Sequence, residues 1–77
     1  MANNSLLQRI TVDPEIMVGK PIVRGTRITV EAILERLYGG MTPAEIVSEL
    51  PHISLDDIKA AQLYALKVIK NEDIFVE

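Results

Sequence analysis

Residues 9–30 read RITVDPEIMVGKPIVRGTRITV, and this stretch decides the fold. It is strand-rich, punctuated by Gly19, Pro21 and Gly25, and carries four of the eight basic residues. Arg9-Ile10-Thr11-Val12 alternates polar and apolar residues at the strand period of two. Asp13-Pro14 closes that strand, because proline has no amide to donate to a ladder. Ile22-Val23-Arg24 and Arg27-Ile28-Thr29 flank Gly25-Thr26. Glycine at the first central position of a two-residue turn permits the positive φ of a type II′ hairpin, although Gly25 fits a simple bend as well. The stretch predicts a β arm over residues 9–29 that leads straight into helix, behind a short frayed lead of residues 1–8.

Three helices are expected after the arm. Thr29 caps the first, residues 30–38, with Val30, Ile33, Leu34 and Leu37 on one face and Gly39-Gly40 at its end. Thr42-Pro43-Ala44-Glu45 starts the second, residues 43–50, as a capping box with proline at the first helical position. It buries Ile46, Val47 and Leu50, and Pro51 stops it. Ser54 caps the third, residues 55–70, whose first turn carries Asp56 and Asp57, favourable to the helix dipole. Ile58, Ala61, Ala65, Val68 and Ile69 share one face of this helix, and Lys59, Leu63, Lys67 and Lys70 share another. In the tail of residues 71–77, Asn71-Glu72-Asp73 breaks the helix and Ile74-Phe75-Val76 is short, apolar and β-prone. The expected fold is mainly α: a three-helix helix-turn-helix bundle with an N-terminal β-hairpin arm. Its predicted core is Ile33, Leu34, Leu37, Ile46, Val47, Leu50, Ile58, Ala61 and Ala65.

Seventy-seven residues make one domain, and a fold of this size buries only about 60–65% of its unfolded surface. Hydrophobic residues are 48% of the chain, which favours completing the core by pairing, so a homodimer is expected, with arm strands paired within a copy or across the twofold. There is no cysteine and only one histidine, His52, which excludes disulfides and argues against zinc. No cofactor is implied. The opening MANNSLLQ lacks the basic and apolar regions of a signal peptide, and no apolar run reaches membrane-spanning length. The chain reads as cytoplasmic.

Net charge is −3, against bulk nucleic-acid binding, but the charge is uneven. Residues 1–28 hold Arg9, Lys20, Arg24 and Arg27 against Asp13 and Glu15, whereas residues 29–77 hold four basic and nine acidic residues. Arg24 and Arg27 are therefore the candidate DNA contacts, joined by Lys59 on the last helix. The competing reading is a solvated hairpin whose arginines pair with Glu15 or Glu31. In a helix-turn-helix the first residues of the second helix meet base edges. Here those are Leu55, Asp56 and Asp57, and two carboxylates repel phosphates. Leu63 among lysines, and Ile74, Phe75 and Val76 in the tail, are candidate partner contacts. His52 reads as a surface or capping residue. No nucleophile–base pair or metal cluster has the spacing that chemistry needs, so no enzyme is expected.

Arg9-Ile10, Pro14 and the block GKPIVRGTRITV of residues 19–30 resemble the family built on domain of unknown function 433. Gly40-Met41-Thr42-Pro43-Ala44-Glu45-Ile46, Leu50-Pro51, the run from Ile53 to Ile58, and Ala60-Ala61 are similar to that family's second half. The resemblance covers residues 9–66. It implies a homeodomain-like helix-turn-helix behind a β element and a prokaryotic source. It further implies the role of a VapB-like antitoxin of a type II toxin–antitoxin pair, with a PIN-like ribonuclease toxin as partner. The first function hypothesis is such an antitoxin, with operator DNA as a second target for autoregulation. Asp56-Asp57 is a departure from a strong DNA reader. The alternative function is a stand-alone helix-turn-helix transcriptional regulator, and a third is a purely structural oligomerisation module. The neighbouring reading frame and salt-dependent DNA binding discriminate between them.

Overall fold

The computed structural model describes residues 2–70, and its elements are set out along the chain by their caps and breakers. Helix α1 (Ala2–Leu7) is followed by strand β1 (Ile10–Val12), a 3-10 turn at Met17–Gly19 and strand β2 (Pro21–Val23). Helices α2 (Val30–Tyr38), α3 (Pro43–Glu49) and α4 (Leu55–Lys70) complete the fold, which is mainly helical with one two-stranded antiparallel sheet.

Each expected helix forms for the expected reason. The Thr29 side chain accepts from the Ala32 amide at 2.9 Å at the start of α2. Thr42 and Glu45 exchange side-chain bonds with each other's amides at the start of α3, with Pro43 at its first position. Leu50 ends α3 as its cap rather than as a helical residue, because Pro51 follows. The Gly39-Gly40 end of α2 uses the left-handed conformation at Gly40, φ +103, while Gly39 stays right-handed.

The arm differs from the predicted hairpin. β2 pairs with β1, in the register Ile10↔Val23, Thr11↔Ile22 and Val12↔Pro21. Residues 27–29 make only the isolated bridge Ile22↔Thr29 and a bond from the Val23 amide to the Ile28 carbonyl. The tight turn runs from Val23 to Thr26, closed by the Thr26 amide on the Val23 carbonyl at 3.0 Å. Gly25, φ +83, is therefore the second central residue, the position where a type II turn needs positive φ, and the type II′ expectation fails.

Residues 2–7 are helical instead of a frayed lead. α1 packs along α4, and half-buried Leu6 lies against the core. Among the described residues the bundle thus has four helices, and α4 is its hub: α1, α2, α3 and β1 all pack on it. Ile33 of α2, Ile46 of α3 and Ile58 of α4 are fully buried at the centre with Ala60 and Ala61. Ile10 and Val23 close this core from the sheet, and Ile53 closes it from the α3–α4 turn. Leu34, Leu37, Val47 and Leu50 pack at its edge, and Ala65 is half-buried beyond it. A 2.9 Å bond from Arg36 Nε to Glu49 Oε1 ties α2 to α3 on the outside.

Between the strands the chain makes a left-handed turn. Met17 (φ 51), Val18 (φ 58) and Gly19 (φ 78) are consecutive positive-φ residues. The Gly19 and Lys20 amides bond back to Ile16 and Met17 at 3.1 Å each. For β-branched Val18 this is a costly conformation, and its side chain, 91% exposed, gains nothing from packing there.

Candidate partner-binding site

The most apolar depression lies between α2 and the second half of α4. Val30, Leu34 and Tyr38 recur every four residues along one stripe of α2. Tyr64, Ala65, Val68 and Ile69 form the facing stripe of α4, and Pro21 of β2 closes one side. The groove so formed has a volume of about 500 Å³. Glu31 and Glu35, each next to an apolar residue of the α2 stripe, line its rim. Lys20 Nζ pairs with Glu31 at 3.0 Å, while Glu35 has no ion pair among the described residues.

Helix lengths explain why the groove is open. Nine residues of α2 span about 14 Å and sixteen of α4 about 24 Å. The face of α4 that is buried at Ile58 and Ala61 continues to Val68 and Ile69, where none of the described helices covers it. Exposure rises along both stripes, from buried Val30 to Tyr38 at 94% and from buried Ala61 to Ile69 at 62%. Among the described residues, side chains of the type that build a core are left exposed here, which makes this face the candidate contact surface.

The start of α4 has the opposite character. Asp57, 7% exposed, accepts from the Ser54 amide at 2.8 Å and from Arg9 Nη1 at 3.1 Å. Ser54 Oγ accepts from the Asp57 amide at 3.3 Å, completing a reciprocal cap. Asp56 is exposed and lies 3.6 Å from Arg9 Nη2. Asp57 is therefore committed to holding the junction of α1 and β1 against α4, and α1 itself lies along the helix a helix-turn-helix protein would insert into DNA.

Arg24 and Arg27 are both exposed and line one open cleft of the arm with Thr11, Asp13, Gly25 and Thr26. Neither makes the pairing with Glu15 or Glu31 that was the competing expectation. Arg24 Nε donates to the Gln8 carbonyl at 2.7 Å, and Glu31 takes Lys20 instead. Lys59 lies apart from them, in a depression with Ser5, Leu6, Arg9 and Asp56 beside α1. Leu63 is half-buried and does not line the groove. Ile74, Phe75 and Val76 lie outside the described residues. His52 is exposed beside Arg9, Arg24 and Asp57. Among the described residues no group of three or more metal-binding side chains is gathered to hold an ion, and no helix is long and apolar enough to cross a membrane.

Sequence reasoning missed Leu34, Tyr38, Tyr64, Val68 and Ile69 as a joint surface. The signal was present as a mismatch: an apolar stripe running to Ile69 on a helix far longer than its neighbours.

Known proteins share this architecture. A solved crystal structure of a DUF433 member protein from Anabaena variabilis superposes with a TM-score of 0.77 at 24% identity, over 91% of this chain and 69% of that one. The uncharacterized protein y4eO of Sinorhizobium fredii is 30% identical over 56 residues, which are 73% of this chain but only 25% of that protein, so the chain spans a quarter of its length. An uncharacterized protein of Archaeoglobus fulgidus is 54% identical over 26 residues, 34% of this chain and 72% of that one. The sequence profile described as "Protein of unknown function (DUF433)" matches residues 10–65, from the first residue of β1 to the middle of α4, and the chain belongs to the DUF433 family.

Proposed function

We propose that the chain is a protein-binding module acting as the antitoxin of a type II toxin–antitoxin pair, and that it neutralises a PIN-like ribonuclease. The observation that carries this reading is the apolar groove between α2 and α4, open among the described residues, with Glu31 and Glu35 on its rim. Apolar anchors inside a charged rim are the anatomy of a protein–protein contact. An acidic rim complements the basic surface with which a ribonuclease holds RNA. The class of toxin rests on what the resemblance to the DUF433 family implies, a VapB-like antitoxin. The role is that of a binding protein in a prokaryotic cytoplasm, and no catalytic step is assigned to it.

Operator binding is a second activity, and the arm is favoured over α4 for it. Asp57 is bonded to Arg9 and Ser54, and Asp56 adds negative charge at the first turn of α4. Base reading in the homeodomain-like manner is therefore poorly supplied with donors. Arg24 and Arg27 in one open cleft supply cations for phosphate. A stand-alone regulator would rest on those two arginines alone.

The test is co-expression of the full chain with the product of the neighbouring reading frame, followed by co-purification and an RNA-cleavage assay. The wild-type chain should co-purify and protect RNA. Tyr38→Glu, at a position 94% exposed, should lose that protection with the fold intact. A neighbouring product without ribonuclease activity, or full protection by the variant, overturns the reading.

A further inference from the structure

We infer that, in the free protein, the groove between α2 and α4 is closed by a second copy of the chain, α4 lying antiparallel to its counterpart about a twofold axis. This rests on the reading of the groove as a protein-binding face and names its occupant when no toxin is present. The last turns of α4 are both a wall of the groove and a ridge, because Val68 and Ile69 line it and still project into solvent. A surface with a groove and a ridge side by side is able to be its own complement, as a twofold interface requires.

Charge selects the same occupant. The α2 wall carries Glu31 and Glu35, and the projecting end of α4 carries Lys67 and Lys70. Glu35, Lys67 and Lys70 make no ion pair among the described residues. Antiparallel packing sets the basic end of each copy's α4 toward the acidic α2 wall of the other, twice per dimer. The chain's own residues 72–77 are a poorer occupant, since Glu72, Asp73 and Glu77 would face an acidic rim. An interface built from one short helix and two turns of another lies at the small end of the stable range, roughly 1,200 Å² in total, where transient contacts fall, and a dimer of about micromolar affinity is expected.

Sedimentation equilibrium of the full chain alone, up to about 300 μM, tests this in the concentration range set by that affinity. A monomer–dimer equilibrium is expected. Ile69→Asp should raise its dissociation constant at least about tenfold, the loss of one anchor at each of two related positions. Glu35→Lys and Lys67→Glu should each weaken the dimer. The two together should restore it to within about threefold of wild type, because they exchange the partners of one ion pair. All three side chains are exposed, and far-UV circular dichroism verifies the fold of each variant. A monomer throughout overturns the inference, as does a dimer indifferent to all these changes. A wild-type monomer that dimerises on deletion of residues 71–77 also overturns it and makes the chain's own tail the occupant. No toxin enters these measurements, so their failure leaves the antitoxin reading standing, and failure of RNA protection leaves the dimer standing.

Discussion

Asp56 and Asp57 are neighbours in the first turn of α4, and replacing each by alanine should have sharply different consequences. Both sit equally well for the helix dipole, a contribution of about 0.5 kcal/mol apiece. Asp57 does two further things. It satisfies the Ser54 amide at 2.8 Å, a capping bond worth about 1 kcal/mol. It also receives Arg9 Nη1 at 3.1 Å, a charged bond worth about 1 kcal/mol once discounted for the solvent that reaches Arg9. Asp57→Ala should therefore destabilise by about 2–3 kcal/mol, a large share of the roughly 4–12 kcal/mol available to a chain of this length. Its melting temperature should fall by roughly 10–20 °C. Asp56, exposed and 3.6 Å from Arg9, should cost no more than about 0.5 kcal/mol. Urea titrations followed at 222 nm measure both. An Arg9→Ala, Asp57→Ala cycle should show coupling of about 1 kcal/mol. Equal losses for the two aspartates would refute the reasoning, leaving the dipole as their whole role.

Ile58→Ala, at the centre of the helical core, should cost about 2–4 kcal/mol in the same titration, and a cost near zero would place Ile58 outside the core. Val18→Asn should stabilise the chain by about 0.5–1 kcal/mol, because asparagine tolerates φ 58 better than a β-branched residue and nothing packs on Val18; destabilisation would contradict the left-handed turn. Replacing Arg24 and Arg27 together by alanine should lower the salt slope of DNA binding by up to about two, and an unchanged slope in filter binding would reject the arm as the phosphate contact.

The parts of the fold legible in the sequence are those set by local chemistry. Thr29, Thr42 with Glu45, and Ser54 each cap the helix they precede, and Pro51 ends α3 where its neighbour loses helical freedom. α1 was not legible, since Asn3, Asn4 and Ser5 in residues 2–7, ANNSLL, favour caps and turns over a helix interior and no long apolar period runs through them. Six residues cannot hold a helix alone, so its conformation comes from packing on α4, a tertiary cause that local patterns do not record. The β2 partner was misread because Gly25-Thr26 offered a nearer hairpin than the connection through Met17–Gly19, whose positive-φ valine runs against its propensity. The candidate site was half legible. Val68 and Ile69 fall on the core face of their helix by periodicity, but whether that face is covered depends on where α2 stops in space. Asp57 was read as a dipole device because nothing near it in the sequence announces Arg9, forty-eight residues away.

Because α4 is the hub, the order of synthesis matters to this chain. α1, α2 and α3 have six, nine and seven residues, each too short to persist alone in water. Their common support, residues 55–70, is translated after all of them, so there is an interval of synthesis in which they have no core to join. During that interval Ile10, Val23, Ile33 and Ile46 have nothing to bury them. A polypeptide that ends before residue 55 lacks the surface on which α1, α2, α3 and β1 pack, so truncation there should leave no helical core.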